Sequence, residues 1–228
     1  MKNVNFRVRG DTYMGYFTIK DTKSAQFEEK KSVFIGSIKR VAAENEAKDF
    51  IKEVKSKNKE ARHNVYAYII GENFGIQRYS DDGEPQGTGG IPVLDVIKKN
   101  GITDTVIVVT RYFGGILLGK GGLVRAYSKA ASMAVKTGGI VEKVKGCVLE
   151  IVINYDMVDR IKYLFEKNLW FIEDMDYKDK VKLTMYAPVE TVTKIEKSTI
   201  ETTSGKCEVI VGDEDYYFKM DNRLFRTC

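Results

Sequence analysis

The segment from Val106 to Tyr127 constrains the fold of this chain more than any other stretch. It opens with four β-branched apolar residues, a run that is typical of a buried strand. Glycines follow, and apolar residues then recur at helical spacing: Leu123, Tyr127, Ala130, Ala131 and Ala134. A strand that passes through a glycine-rich turn into a helix presents free backbone N–H groups beside the positive end of the helix dipole. The segment therefore predicts an anion-binding turn.

The candidate phosphate- or nucleic-acid-binding residues lie in or beside this turn. They are Gly114, Gly115, Gly119, Gly121 and Gly122, with the cations Arg111, Lys120 and Arg125. The glycines also have a structural explanation, because glycine permits the positive φ that a tight connection requires. Five glycines flanked by three cations favour the binding interpretation.

The same turn resembles the beginning of a nucleotide-binding P-loop. Gly114 to Lys120 fits the pattern GxxxxGK between a strand and a helix. Gly121 stands where that motif requires a Ser or Thr hydroxyl to bind magnesium. The pattern therefore does not favour an NTPase.

Composition narrows the remaining classes of function. His63 is the only histidine, so any Ser–His or Cys–His nucleophile pair would have to use it. Cys147, Cys207 and Cys228 form no C-x-x-C pair, so neither a zinc site nor a disulfide framework is predicted. The net charge of +5 permits nucleic-acid binding without requiring it. Because the chain has neither a long apolar run nor an apolar signal core at its start, we expect a cytoplasmic protein without a membrane span.

A second candidate site is the glycine- and proline-rich stretch from Ser80 to Pro92, which is predicted to be a loop. Its acidic residues Asp81, Asp82 and Glu84 have two explanations. They could hold a magnesium ion through carboxylate oxygens. They could instead accept hydrogen bonds from local backbone N–H groups and pair with a nearby arginine.

Four further residues are candidates for a role at these sites. Arg111 and Arg125 either bind phosphate or brace the acidic loop. His63, which opens a predicted strand, is either a general acid or base or a structural or ligand contact, and the second role is favoured. Thr88 is a possible contact residue in the same loop. We expect no catalytic residue and no metal centre, with magnesium at the three carboxylates as the minor option.

The pattern of hydrophobic residues predicts two domains. In the first, strands are expected at Thr12–Ile19, Ala25–Glu29, Ser32–Arg40, His63–Gly71 and Phe74–Tyr79, with helices at Ala42–Lys57 and Val93–Lys99 and a long helix ending near Gly138. In the second, strands are expected at Val148–Tyr155, Leu169–Ile172, Lys180–Ala187 and Lys206–Val211, with helices at Met157–Asn168 and Val189–Thr203. This βαββαβ order is that of a ferredoxin-like domain. The expected domains are residues 1–141 and 146–212, followed by a surface tail at 213–228.

Two segments carry a family resemblance: DDGEPQGTGGIPVLDVI (Asp81–Ile97) and VVTRYFGGILLGKGGLVRAYSKA (Val108–Ala130). With FEEKKSVFIG and HNVYAYIIG, they resemble the YigZ/IMPACT family. The resemblance implies an α+β protein whose N-terminal domain is like the second domain of ribosomal protein S-five, a sheet with helices on one face. It also implies a C-terminal ferredoxin-like domain akin to the last domain of elongation factor G. The chain departs from the usual family pattern at Arg62 and Gly89.

The resemblance also suggests a function, since eukaryotic relatives modulate translation by competing for the activator of a starvation-responsive kinase. We expect a non-catalytic protein that binds RNA or the ribosome and regulates translation, with the glycine-rich turn and its cations contacting phosphates. One alternative is a protein-interaction module of stress or translation regulation. Another is a magnesium-dependent enzyme that acts on a phosphorylated small molecule. The sequence predicts no oligomeric state.

Overall fold

The computed structural model describes residues 15–227, which form two compact units. The first comprises Tyr16–Lys143, Phe218–Met220 and residues 225–227, and the second comprises Gly15, Val144–Tyr217 and Asp221–Leu224. Strand β7 (Ile140–Ile153) runs without interruption through the change from one unit to the other. The change from one unit to the other falls between Lys143 and Val144, within this strand.

The first unit is built on a five-stranded antiparallel sheet. Its elements are β1 (Gly15–Ile19), β2 (Lys23–Glu29), β3 (Ser32–Arg40), α1 (Glu44–Lys57), β4 (His63–Ile70), β5 (Ile76–Ser80), α2 (Gly90–Lys99), β6 (Thr105–Tyr112) and α3 (Gly119–Gly138). The strand order is β2-β3-β6-β4-β5, and β1 pairs with β7. Part of the strand expected at Thr12–Ile19 lies outside the described residues.

Helices cover both faces of this sheet. On the central strand β6, Ile107 and Val109 belong to the core formed with α2 and α3. The alternate residues Val106 and Val108 belong to the core formed with α1. Because successive strand residues point to opposite faces, burial of all four requires cover on both sides. The family resemblance implied a sheet with helices on one face. Helices α2 and α3 share one face, but α1 lies on the opposite face.

Helix α3 packs very closely against the sheet. Ala126, Ala130 and Ala134 are buried on the helix side, and Gly36 is buried on β3. A Cβ atom built on Gly36 would lie 2.4 Å from the carbonyl oxygen of Ala130. The small residues thus allow the helix backbone to approach the strand more closely than ordinary side chains would permit.

The second unit has the predicted βαββαβ order. After β7 come a short 3₁₀ helix (Tyr155–Met157), α4 (Val158–Asn168), β8 (Ile172–Tyr177), β9 (Val181–Pro188), α5 (Val189–Thr203), β10 (Cys207–Met220) and β11 (Arg223–Phe225). The sheet order is β11-β10-β7-β9-β8. The first and third strands of the series are therefore adjacent at the centre, as in a ferredoxin-like domain. The predicted α+β class is confirmed.

Two predictions in this half were wrong. Residues 213–220, expected in a surface tail, continue β10, and β11 follows, because Tyr217 and Leu224 are buried in a small core with Val144. The strand expected at Leu169 begins only at Ile172. Leu169 has φ +56 and terminates α4 in the left-handed conformation. None of the helices within residues 15–227 is long and apolar enough to cross a membrane.

Candidate functional site

Asp81 in the acidic loop caps helix α2. Its Oδ1 accepts hydrogen bonds from the backbone N–H groups of Gly89 (2.9 Å) and Gly90 (2.8 Å), and its Oδ2 accepts one from Gly87 (2.8 Å). Helix α2 consequently begins at Gly90, inside the predicted loop and before the expected start at Val93. A carboxylate at this position satisfies N–H groups that have no partner within the helix.

Replacing Asp81 by Ala is expected to lower the free energy of unfolding by about 2 kcal/mol, since three donors lose their acceptor. Urea denaturation would measure the change. The matched control is Asp95→Ala, which removes an exposed carboxylate from the same helix and should change stability by less than about 0.5 kcal/mol. Equal effects of the two substitutions would contradict the capping role.

Asp82 ties the loop to two other elements. Its Oδ1 is 2.7 Å from Lys55 Nζ on α1, and its Oδ2 accepts a hydrogen bond from the backbone N–H of Asn64 at 2.7 Å. Asp82 has φ +45, a conformation that non-glycine residues rarely adopt. These contacts hold the loop in a strained conformation, as is common at functional sites.

Glu84 lies at the centre of a buried polar cluster. Its Oε1 accepts hydrogen bonds from Arg111 Nη1 (2.7 Å) and from the Tyr127 hydroxyl (2.8 Å). Glu84 is 8% exposed and Arg111 is 5% exposed. Burial and the Glu84 carboxylate raise the pKa of Tyr127, so its hydroxyl remains a donor over the ordinary pH range. Glu84 is thus held by a full ion pair inside the domain.

Arg111 is enclosed by aromatic rings as well as by Glu84. The centre of its guanidinium group lies 5.5 Å from the Phe34 ring centroid and 5.4 Å from that of Phe113. Its Nε is buried and has no hydrogen-bond partner among the described residues. Arg111 therefore braces the acidic loop from within the core and is not placed to contact an external phosphate.

His63 also borders this cluster. Its Nδ1 is 2.9 Å from the carbonyl oxygen of Asp82, which can only accept, so Nδ1 carries a hydrogen. The other ring nitrogen, Nε2, is 4.0 Å from Glu84 Oε1. The imidazole therefore supports the loop backbone, and Thr88 does the same by donating to the carbonyl of Pro85 at 2.6 Å.

The three carboxylates of the loop do not converge on one point. Asp81 binds backbone N–H groups, Asp82 binds Lys55 and a strand N–H, and Glu84 binds Arg111 and Tyr127. Within residues 15–227, no group of three or more His, Cys, Asp or Glu side chains is arranged to hold a metal ion. The geometry of the loop resembles the hydrogen-bonded alternative more than a magnesium site.

The glycine-rich turn divides into a loop and the first turn of α3. Gly114 and Gly115 are in the loop, whereas α3 begins at Gly119, which has φ +71, and includes Gly121 and Gly122. The N–H of Gly114 donates to Ser32 Oγ at 3.2 Å, and a Cβ built on Gly114 would lie 2.0 Å from the Lys31 carbonyl group. Glycine is therefore required at position 114, because the backbone passes too close to the β2–β3 hairpin for a side chain.

The exposed cations of this region lie at the start of α3. Lys120 and Arg125 are exposed, and the N-cap residue Leu118 makes no side-chain hydrogen bond to the helix end. A Cβ built on Gly121 would lie 3.7 Å from Arg125 Nη1, so this guanidinium is beside the first helical turn. Arg125 forms no salt bridge with any described residue. Positive side chains therefore augment the positive end of the helix dipole.

Next to this helix end is a cavity of about 250 Å³ between α3 and the β2–β3 hairpin, here termed the basic groove. It is lined by Phe27, Glu29, Lys30, Leu118, Gly122, Arg125, Ala126 and Lys129. Lys129 Nζ is 4.2 Å from the Phe27 ring centroid. The sequence contains no acidic residue from Thr105 to Val141. Among the described residues that line the groove, Glu29 is the only one with a carboxylate. Lys30 and Lys129 were missed by the sequence analysis, although the i,i+4 spacing of Arg125 and Lys129 indicates a shared helix face.

Comparison with known proteins places these features in a family context. The model of the Impact N-terminal domain matches residues 30–135, and that of a domain of unknown function, DUF1949, matches residues 151–206. The chain is 37% identical to "IMPACT family member YvyE" of Bacillus subtilis (strain 168), over 93% of this chain and 98% of that protein. It is 31% identical to "IMPACT family member YigZ" of Escherichia coli (strain K12), over 82% and 93%.

A relative that matches over a shorter stretch and a solved structure are also similar to this chain. "Protein IMPACT homolog" of Dictyostelium discoideum is 40% identical over 40% of this chain and 27% of its own length. A structure described as "Crystal structure of an hypothetical protein" matches with a TM-score of 0.56 and 27% identity. The match covers 89% of this chain and 99% of that one. The fold is therefore similar to that of a solved protein over most of this chain.

Proposed function

This chain belongs to the IMPACT family, and on that basis we propose that it is a non-catalytic RNA- or ribosome-binding protein that regulates translation. The basic groove and the adjoining N-terminus of α3 contact the phosphates. The observation that carries the proposal is the placement of Lys30, Arg125 and Lys129 around one groove, with Lys120 exposed at the same helix end. Clustered cations beside free helix N–H groups suit a phosphate backbone.

The arrangement favours phosphate contact over recognition of bases. One face of Phe27 stacks against Phe34, with ring centroids 5.4 Å apart, and Lys129 lies over Phe27 at 4.2 Å. A base would have to displace Lys129 to stack on this ring. Binding is therefore expected to be electrostatic, tolerant of sequence and strongly dependent on salt.

The same geometry gives less support to an enzyme. The carboxylates that could have held magnesium accept hydrogen bonds from separate partners. Arg111, a candidate for binding a substrate phosphate, is buried against Glu84. The acidic loop therefore links α2, through Asp81, to β6, through the ion pair of Glu84 with Arg111.

Lys120→Ala combined with Arg125→Ala is expected to weaken binding of single-stranded RNA and to lower the salt slope by about two counterions. Each cation that is removed leaves one phosphate unneutralised, so binding releases about one counterion fewer from the RNA. Fluorescence anisotropy over a salt series, with single-stranded RNA, structured RNA and duplex DNA, would measure both quantities.

The control for this experiment is Lys98→Ala combined with Lys99→Ala, which removes the same charge from the exposed end of α2. This variant should retain the affinity and salt slope of the unmodified protein. If the two double variants behave alike, phosphate binding is not located at the start of α3. If the unmodified protein binds none of the three nucleic acids at low salt, the proposed function is wrong.

A further inference from the structure

Strand β2 forms one edge of the five-stranded sheet. It pairs with β3 in an unbroken antiparallel register from Lys23↔Ile38 to Glu29↔Ser32. Its outer side pairs with no strand of the sheet within residues 15–227. Its backbone N–H and C=O groups on that side are therefore available to another extended chain.

Edge strands are commonly protected from such pairing by proline, a bulge or inward-pointing charge. Strand β2 (KSAQFEE) contains no proline or glycine, and its register shows no bulge. Its charged residues lie at the two ends, and the stretch from Ser24 to Phe27 carries none. The middle of the edge is thus regular and uncharged.

Each face of the sheet carries a groove along this edge. On the α3 face is the basic groove, which includes Phe27, Glu29 and Lys30. On the α1 face is a cavity of about 400 Å³, here termed the α1 groove, lined by Thr22, Lys23, Ser24, Ile35, Ser37, Phe50, Glu53, Val54, Lys57 and Asn58. The α1 groove lies toward the beginning of β2 and the basic groove toward its end.

The side chains of β2 alternate between these two grooves. Phe27 packs with the α3 core, and the Ser24 hydroxyl is 2.9 Å from the Ser37 hydroxyl in the α1 groove. A strand added beside β2 would alternate in the same way, with successive side chains directed to opposite faces. Seven residues of added strand, at about 3.3 Å each, would reach both grooves.

The charges lining the grooves indicate which peptide would fit. The cations are Lys23, Lys30, Lys57, Arg125 and Lys129, and the acids are Glu29 and Glu53. Glu53 is already paired with Lys57 at 2.6 Å. We propose that the edge of β2 binds an extended acidic peptide segment of a partner protein by strand addition, with alternate side chains entering the two grooves.

This interaction does not depend on the proposed RNA binding, although the two share Arg125 and Lys129. A peptide in the basic groove would cover both cations. RNA and the acidic peptide should therefore compete for the protein, and the peptide can be tested in the absence of RNA.

The probe is a fluorescein-labelled nine-residue peptide of alternating Glu and Val, measured by anisotropy with the full chain at low salt. Two further versions carry N-methyl groups on alternate residues, in the two opposite registers. An N-methyl group directed toward β2 removes a hydrogen bond, whereas one directed away does not. We expect one register to bind at least tenfold more weakly than the other, and a version with Lys in place of Glu to bind at least tenfold more weakly than the Glu peptide.

Equal binding of both N-methylated versions would overturn strand addition, because simple charge attraction does not distinguish them. Absence of binding up to about 1 mM peptide would overturn the proposal entirely. A stable dimer of the chain that the peptide does not dissociate would also overturn it, since a second copy would then occupy the edge.

A variant separates this surface from the RNA site. Lys23→Glu changes a residue at the beginning of β2 that borders the α1 groove and is away from the start of α3, and it should weaken peptide binding at least fivefold while leaving RNA binding within twofold. The matched charge reversal Lys99→Glu should change neither. The Lys120 and Arg125 double variant tests the proposed function through its RNA binding only, because Arg125 also lines the groove that the peptide would enter. Peptide binding that Lys23→Glu leaves unchanged would overturn the assignment to β2.

Discussion

Glu84→Ala is expected to lower the free energy of unfolding by about 3–5 kcal/mol. The substitution leaves the Arg111 guanidinium buried without its carboxylate and removes the acceptor of the Tyr127 hydroxyl. Arg111 has little access to water, so hydration cannot replace the lost ion pair. Urea denaturation followed by circular dichroism would measure the change.

The control is the double variant Glu84→Leu with Arg111→Met, which removes both charges and keeps the cluster filled. A buried ion pair can often be replaced by apolar residues with little loss of stability. We therefore expect the double variant to be more stable than Glu84→Ala. A loss below about 1 kcal/mol for Glu84→Ala would show that the pair does not hold the acidic loop.

Gly36→Ala is expected to lower the free energy of unfolding by about 2–3 kcal/mol. The added methyl group would meet the backbone carbonyl of Ala130 at 2.4 Å and Cβ of Ala134 at 3.2 Å. Backbone atoms cannot rotate away, so α3 would have to move off the sheet. Thermal and urea denaturation would detect the loss of stability.

Gly75→Ala provides the matched control for this substitution. A Cβ at Gly75 meets nothing within 4 Å, and its φ is not positive. The control should therefore be neutral or slightly stabilising, because alanine restricts the unfolded chain more than glycine does. Similar effects at positions 36 and 75 would contradict the close packing of α3 on β3.

The two predictions bear on function because both contacts hold helix α3, whose first turns carry the candidate cations. Tyr127 links this helix to Glu84, and Gly36 sets its distance from the sheet. The exposed Lys120 and Arg125 are then carried on a helix held by its buried face. A rigid support of this kind keeps cations and helix N–H groups in a constant arrangement.

The candidate site was only partly predictable from sequence. The two loops were recognised because glycine, proline and clustered charge are local signals. The sequence did not show which charged residues are buried and which are exposed. Arg111 and Glu84, for example, are 27 residues apart and meet only in the folded chain. Lys30 was missed for the same reason, because its neighbour across the basic groove is Arg125 on a distant helix.

Local sequence patterns were enough to predict most of the secondary structure and the order of its elements. Helix α5 (Val189–Thr203) and strand β3 (Ser32–Arg40) have the predicted bounds, and the βαββαβ order of the second unit is as predicted. Hydrophobic periodicity is a local property, because each element must bury one face. Hydrophobic periodicity is therefore sufficient to predict an element whose conformation depends only on its own residues.

Other features depend on contacts between residues that are far apart in the sequence. Helix α2 begins at Gly90 because Asp81 caps it, and β10 extends beyond residue 213 because Tyr217 and Leu224 are buried with Val144. Arg111 is structural because folding places it between Glu84 and two aromatic rings. Local patterns cannot report these outcomes, since burial and pairing are properties of residues that are distant along the chain and adjacent only after folding.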